Sequence, residues 1–310
     1  MMSEERGGRV LDDRVGRVDL VEVGARDGLQ NESTVLDTGT KIDLIGRLVA
    51  AGARRIEVAS FVHPGRVPQM ADAEAVVGGL GPSPGGVSYI GLVLNRRGLE
   101  RALATTVDEV NFVVGASEGF NRANAGASPG ETMAQIETML QDAGHRSTTV
   151  TISVAFGCPY DGPVPVDDVV RLAERAADAG ADEIALGDTI GVAVPSQVTE
   201  LVAAIRSVTD VALRGHFHDT RNTAVANAAA AYAAGVTTFD ASVGGAGGCP
   251  FAPNATGNVA TEDLIYLFER MGVTTGIEHD RMIMTTRWLE ERLGKDLPAA
   301  VTRAGWWPET

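Results

Sequence analysis

Val211-Ala212-Leu213-Arg214-Gly215-His216-Phe217-His218-Asp219 is the stretch on which the reading of this 310-residue chain turns. An apolar run leads into two of the five histidines, and the alanine-rich segment Thr220 to Ala233 follows, closed by Ala234-Gly235. A second β-favouring run, Thr237 to Ser242, comes next, so the stretch opens a strand–helix–strand unit. On a strand, alternate side chains share a face, which puts His216 and His218 together and Phe217 on the other side. Two imidazoles beside an aspartate make a candidate divalent-metal site. Two structural histidines hydrogen-bonded at a strand end are the plain alternative.

Working outward, the same unit recurs. Strands are expected at Val18–Val23, Arg54–Ala59, Val87–Leu94, Glu109–Val114, Thr149–Phe156, Asp182–Leu186, Val211–Phe217 and Thr237–Ser242. Helices are expected at Thr38–Ala51, Gln69–Val77, Arg97–Leu103, Glu131–Asp142, Val166–Asp178, Pro195–Val208 and Thr220–Ala233. Three of them close on Ala51-Gly52, Ala179-Gly180 and Ala234-Gly235, each read as a left-handed glycine cap before a short loop. Eight strands alternating with helices predict a closed parallel (β/α)8 TIM barrel of the α/β class. An open doubly wound sheet competes, but no G-x-G-x-x-G follows the first strand. The expected organisation is a polar leader over 1–17, a barrel domain over 18–271 and a helical C-terminal extension over 272–310.

The composition narrows the function. A formal charge of −15 argues against nucleic acid and anionic membrane surfaces as partners. The apolar stretch Ala224 to Val236 is too short and too alanine-rich to span a bilayer. Two cysteines, Cys158 and Cys249, make no disulfide scaffold and fit a reducing cytoplasm.

In such barrels chemistry gathers at the C-terminal ends of the strands. Arg26-Asp27 follows the first strand, Glu57 ends the second, Asp188-Thr189 follows the sixth, and His216 and His218 end the seventh. Gly244-Gly245-Ala246-Gly247-Gly248-Cys249-Pro250 follows the eighth, with Asn254 and Asn258 before the last barrel helix. His216, His218, Asp27 and Asn258 form a mixed nitrogen and oxygen set suited to Mg²⁺ or Mn²⁺ rather than to structural zinc. Arg26 is read either as an oxyanion stabiliser or as a salt-bridge partner of Glu57. Asp188 is read either as a site residue or as a loop cap. The glycine-rich loop suits a phosphate cradle, a mobile cover or a tight turn. Cys249 is a candidate acid/base and Cys158 a buried core thiol.

Six motifs stand in one order: Arg26-Asp27-Gly28-Leu29-Gln30-Asn31-Glu32; Ser60-Phe61-Val62 with Val67-Pro68-Gln69-Met70; Gly157-Cys158-Pro159-Tyr160; Leu186-Gly187-Asp188-Thr189-Ile190-Gly191; His216-Phe217-His218-Asp219-Thr220; and Gly247-Gly248-Cys249-Pro250. Together they resemble the hydroxymethylglutaryl-CoA lyase family, from about Val18 to Met271. The resemblance implies a divalent-metal TIM-barrel lyase that cleaves a 3-hydroxy-3-methylglutaryl-CoA-like thioester to acetyl-CoA and acetoacetate. It implies Asp27, His216, His218 and Asn258 as metal ligands for Mg²⁺ or Mn²⁺, and Arg26 as the group that neutralises the departing enolate. Glu57 and Asp188 would support the site, and Cys249 would take part in proton transfer. Arg26, Gln30, Asn124 and Thr189 would contact an acyl-CoA substrate. A homodimer or larger homo-oligomer, working in the cytoplasm in leucine degradation or ketone-body metabolism, completes that expectation.

The chain also departs from the family. Gly245-Ala246-Gly247 stands where a leucine usually precedes Gly-Gly-Cys-Pro, Arg221-Asn222 replaces Tyr-Gly, and the His63 and Gly65-Arg66 region differs. These changes spare the metal set, so the reaction type is firmer than the acyl group, and a citramalyl-type thioester is an alternative. A condensing acyltransferase of the isopropylmalate or homocitrate synthase type shares the barrel and histidine pair. Such enzymes usually carry a long regulatory region after the barrel. A non-catalytic metal-binding barrel would gain nothing from Arg26 and Cys249.

Overall fold

The structure, a computed structural model, describes residues 16–248 and 256–307. Eight parallel strands close on themselves in sequence order: β1 (Asp19–Glu22), β2 (Arg55–Ser60), β3 (Ser88–Val93), β4 (Glu109–Gly115), β5 (Ser147–Ser153), β6 (Glu183–Asp188), β7 (Ala212–Phe217) and β8 (Thr238–Ala241). The seam between first and last strands pairs Asp19 with Thr238 and Glu22 with Ala241. The helices α1 (Thr38–Ala50), α2 (Ala73–Leu80), α3 (Arg96–Leu103), α4 (Glu118–Ala125), α5 (Pro129–Gln141), α6 (Val166–Asp178), α7 (Pro195–Arg206), α8 (Ala224–Ala233) and α9 (Thr261–Arg270) lie between or after them. Two more, α10 (His279–Leu293) and α11 (Ala300–Ala304), pack on α9, and α10 also packs on α1.

The local reasons are ordinary ones. Asp37 caps α1 by accepting from the Thr40 N–H, and Ser128 with Glu131 forms a capping box ahead of α5, with Pro129 at its first position. Gly52, Gly180 and Gly235 all take positive φ, as the Ala-Gly pairs predict.

Three elements differ from expectation by more than two residues, each for a local reason. Residues 220–223 are a turn rather than helix: Asn222 has φ +56° and the Asp219 carboxylate accepts from the Ala224 N–H. The fifth strand stops at Ser153 because Val154 has φ +52°, its N–H turned to the Thr189 hydroxyl. A short 3₁₀ turn at Pro68–Met70 precedes α2 in place of one helix over 69–77. One helix was not anticipated: α4, only eight residues long, starts at the Ser117 cap and ends at left-handed Gly126.

Outward-facing residues such as Val110, Phe112 and Val114 on β4 are fully buried beneath the helices. The barrel lumen, in contrast, is charged. Glu109, Glu183, Arg214 and Asp240 are buried inside it, joined by the half-buried Arg55. This ionic floor separates one rim of the barrel from the other. Among the described residues no helix is long and apolar enough to cross a membrane.

Candidate active site

The rim above that floor gathers the polar ends of the strands. His216 on β7 and His218 just beyond it face the same way, with ring centroids 5.1 Å apart. After β1 the chain makes a single π-helical turn, Gly24–Gly28, which presents Arg26 and Asp27 to the rim. Asp27, His216 and His218 each offer a ligand atom, all within 4.8 Å of one another. Asn258 joins them: its Nδ2 donates to Asp27 Oδ2 at 2.8 Å. The four expected ligands therefore lie together.

Their electrostatics suit a cation. Burial alone would raise the Asp27 pKa, but Arg26, the two imidazoles and the Asn258 amide outweigh it and hold the carboxyl well below the usual range. Burial, with the neighbouring His216 ring, pushes His218 down to about 3, so it is a neutral imidazole with a lone pair to give. Its Nδ1 is buried and finds no hydrogen-bond partner among the described residues. Its Nε2 lies 3.9 Å from Asp27 Oδ2, too far for a hydrogen bond and close enough to share an ion. For His216, burial works against the charged ring, but the Asp240 hydrogen bond and charge prevail and raise its pKa. His216 Nδ1 lies 2.9 Å from Asp240 Oδ2, which leaves Nε2 as the available ligand atom. A neutral histidine and an ionised aspartate within reach of one ion fit a divalent cation.

Arg26 sits beside this set. Its Nη1 donates to Asp27 Oδ1 at 2.5 Å and its Nε to Glu57 Oε2 at 2.5 Å. Glu57 Oε1 in turn accepts from Asn111, whose own carbonyl accepts from Thr151 at 2.8 Å. The salt bridge to Glu57 is thus present, and the guanidinium still lines the cleft. Asp188 takes the loop-cap geometry: its oxygens accept from the N–H groups of Val192 at 2.8 Å and Ala193 at 3.1 Å. That anchoring shapes the loop from which Thr189 reaches the cleft.

The cleft has a volume of about 320 Å³. Gln30, Asn124 and Gly248 line it with Arg26, Asp27 and the histidines, while Val62, Leu92, Leu94, Val113 and Phe120 form an apolar wall. Cys249 and Asn254 lie outside the described residues. Cys158 is buried, its Sγ accepting from the backbone N–H groups of Tyr160 and Asp161, both at 3.3 Å.

The described part of the glycine-rich loop is fastened rather than loose. Gly244, Gly245 and Gly247 have positive φ, and a Cβ on Gly247 would lie 3.0 Å from Asn258 Nδ2. Ala246 O accepts from Ser242 at 2.8 Å and lies 3.4 Å from Asn258 Nδ2. Two wholly buried carboxylates grip the loop root. Glu22 accepts from Gly24 and Val243 N–H and from the Thr261 hydroxyl. Glu262 accepts from Gly244 N–H and from the Thr286 hydroxyl on α10. The Gly244 carbonyl accepts from Ala299 N–H at 3.0 Å, so the C-terminal segment holds it too.

Four of these residues, Asp240, Asn111, Glu22 and Glu262, did not stand out in the sequence. For Asp240 a signal existed: an acid inside the β-favouring run Thr237 to Ser242, in phase with the lumen-facing side of β8. Its pairing with His216 across β7 and β8 is a matter of register.

Comparison with known proteins follows the same lines. The family model described as HMGL-like matches residues 17–288. The chain is 44% identical over 300 residues to the (R)-citramalyl-CoA lyase of Chloroflexus aurantiacus, covering 93% of this chain and 95% of that one. It is 42% identical over 288 residues to a hydroxymethylglutaryl-CoA lyase of Bacillus subtilis, covering 91% and 95%. Among solved structures, the HMG-CoA lyase of Acinetobacter baumannii, in complex with coenzyme A and 3-methylmalate, superposes with a TM-score of 0.90 at 37% identity, over 95% of this chain and 97% of that one.

Proposed function

The chain belongs to the HMGL-like family, and on that premise we propose that its rim cleft is the active site of a hydroxymethylglutaryl-CoA lyase-type enzyme. The reaction is carbon–carbon cleavage of a 3-hydroxy-3-methylglutaryl-CoA-like thioester to acetyl-CoA and acetoacetate. The observation that carries the reading is the juxtaposition of Asp27, His216 and His218 with the Arg26 guanidinium at one cleft.

The chemistry is a loss of the C3 hydroxyl proton, fission of the C2–C3 bond, and protonation of the thioester enolate at carbon. The electron pair of the O–H bond becomes the new ketone π bond, and the pair of the broken C–C bond becomes the enolate. Asp27, His216, His218 and Asn258 would hold Mg²⁺ or Mn²⁺, which when bound supplies positive charge to the hydroxyl and terminal carboxylate. Arg26, fixed by Glu57, presents its guanidinium to the enolate oxygen as charge develops there. Asp240 holds His216 in place, and Asp188 holds the loop that carries Thr189. Gln30, Asn124 and Thr189 supply polar contacts along the cleft. Cys249 follows Gly248 of the cleft wall directly in the chain, and its part in proton transfer rests on that sequence context. A cytoplasmic setting fits a soluble acyl-CoA substrate and the two-cysteine composition.

A second reading has its own support. The (R)-citramalyl-CoA lyase relative is as similar as the hydroxymethylglutaryl-CoA lyases. The same proton and electron movements on citramalyl-CoA give acetyl-CoA and pyruvate. One assay tests both readings: purified protein with Mg²⁺ or Mn²⁺, a panel of 3-hydroxyacyl-CoA thioesters, and identification of the keto acid beside acetyl-CoA. Acetoacetate from hydroxymethylglutaryl-CoA at the highest kcat/KM supports the first, pyruvate from citramalyl-CoA the second. No acetyl-CoA from any member removes both.

A further inference from the structure

Below the rim, Arg214 stands on β7 two residues before His216, on the same lumen-facing side, and is 1% exposed. A guanidinium so deeply buried needs compensation from every direction. Its Nη2 donates to Glu109 at 3.3 Å, and its Nε lies 3.0 Å from Glu183. On the third side, Nη1 donates to Asp240 Oδ1 at 3.3 Å. The other Asp240 oxygen faces His216 Nδ1. Asp240 is thus divided between a fixed cation below and an imidazole above.

We propose that Arg214 is a positioning residue for the cation site, acting through Asp240 to hold the His216 ring so that Nε2 faces Asp27 and His218. The proposal rests on the reading of Asp27, His216 and His218 as metal ligands. The geometry gives Arg214 little freedom. Arg55 donates to the same Glu109 and Glu183 at 2.9 and 2.8 Å, and the Thr149 hydroxyl lies within hydrogen-bond reach of both acids, 2.9 Å from Glu109 and 3.2 Å from Glu183. Glu109 and Glu183 are thereby oriented from two further strands, β2 and β5, and they in turn orient Arg214. The planar fork matters here: one face serves the two glutamates while a terminal nitrogen remains for Asp240. A lysine at this place would keep a positive charge and lose the simultaneous contacts. An aspartate with one oxygen released is free to rotate, and the imidazole it holds then loses its single aim. Outer partners of metal-bound histidines commonly govern metal affinity by about 10–100-fold.

The test reads cation binding without substrate. Mn²⁺ affinity of the purified protein is measured by electron paramagnetic resonance for wild type, Arg214→Lys, Asp240→Asn, the double variant and His218→Ala. We expect Arg214→Lys and Asp240→Asn each to weaken Mn²⁺ about tenfold or more, and the double variant to be no weaker than Asp240→Asn by more than about twofold. Two independently additive losses would show that Arg214 does not act through Asp240. An Arg214→Lys protein that binds Mn²⁺ like wild type, while His218→Ala does not bind it, would leave the ligand set standing and overturn the proposal alone. Failure of wild type itself to bind Mn²⁺ would remove both. Should Arg214→Lys not fold, Arg214→Gln, alone and with Asp240→Asn, is titrated with Mn²⁺ in the same way. A loss of about tenfold or more that Asp240→Asn does not deepen is expected, and wild-type affinity in Arg214→Gln, with His218→Ala unable to bind, overturns the proposal.

Discussion

Arg26 and Glu57 make a two-pronged contact at the rim: Nε donates to Glu57 Oε2 at 2.5 Å, and Nη2 lies against the same oxygen. The carboxylate is itself fixed from behind by Asn111. Salt bridge and oxyanion stabiliser, which the sequence poses as alternatives, are therefore compatible. A guanidinium has five N–H donors, and Glu57 with Asp27 uses only part of them. The ion pair serves as the bracket that aims the rest.

Arg26→Lys keeps the charge and loses the fork. We expect kcat to fall by about 10²-fold or more, with KM changed by less than about threefold. Steady-state kinetics of acetyl-CoA release check this, and a change confined to KM would make Arg26 a ground-state binding residue.

Asp27→Ala and His218→Ala should abolish turnover and weaken Mn²⁺ binding while moving the thermal midpoint by less than about 4 °C. The side chains stand at a polar rim, and Arg26 keeps Glu57 as a partner. Calorimetry beside Mn²⁺ titration separates the two effects. Wild-type affinity in both variants would assign the ligands elsewhere.

Glu22 and Glu262 give a pH signature. Burial raises Glu22 from 4.5 to about 7 and Glu262 from 4.5 to about 8, against the pull of their donors. Between the unfolded and folded values the folded chain binds more protons, so stability falls as pH rises through that window. Below about pH 4.5 the contribution is fully present, and above about pH 8 it is lost. Glu262→Gln cannot ionise, so its melting temperature relative to wild type should climb between about pH 5 and pH 8.5. A difference that stays flat with pH would refute this.

Gly244→Ala should destabilise the fold by about 2 kcal/mol or more. The φ is +66°, and the added Cβ would lie 2.6 Å from Leu297 Cδ1 and 2.7 Å from Thr286 Cγ2. Urea unfolding measures it. Because the same backbone leads to Ala246 and Asn258, Mn²⁺ affinity should fall in parallel.

Cys249→Ala should lose most activity and still bind acyl-CoA. Substrate should protect the wild-type thiol from alkylation. Near-normal turnover in the variant would take the thiol out of the proton path.

The barrel and half of its site were legible because they depend on local period. His216 and His218 share a face by the pleat alone, and strand ends converge on a rim whenever eight units close. Asp240 was not legible, since its bond to His216 depends on the register of two strands joined by a helix. Glu22 and Glu262 carry no signal of their own in the sequence, because a carboxylate's burial is decided by remote partners such as Thr286. Asp188 left two readings open, and its short-range bonds to Val192 and Ala193 are the kind that turn chemistry allows. The turn at Asn222 hid inside an apparently continuous helix.

Asp27 and Asn258, bonded at 2.8 Å, are 231 residues apart in the chain. At a translation rate of about 5–20 residues per second, the second is made roughly 12–46 s after the first. The closing strand β8 and the Ala299 N–H that holds Gly244 also emerge late. From the emergence of β2 until that of β8, β1 has one open edge, and a parallel edge without its neighbour is an invitation to pair with another chain. The nascent chain therefore spends most of its synthesis as an incomplete ring, closed only when β8 pairs with β1.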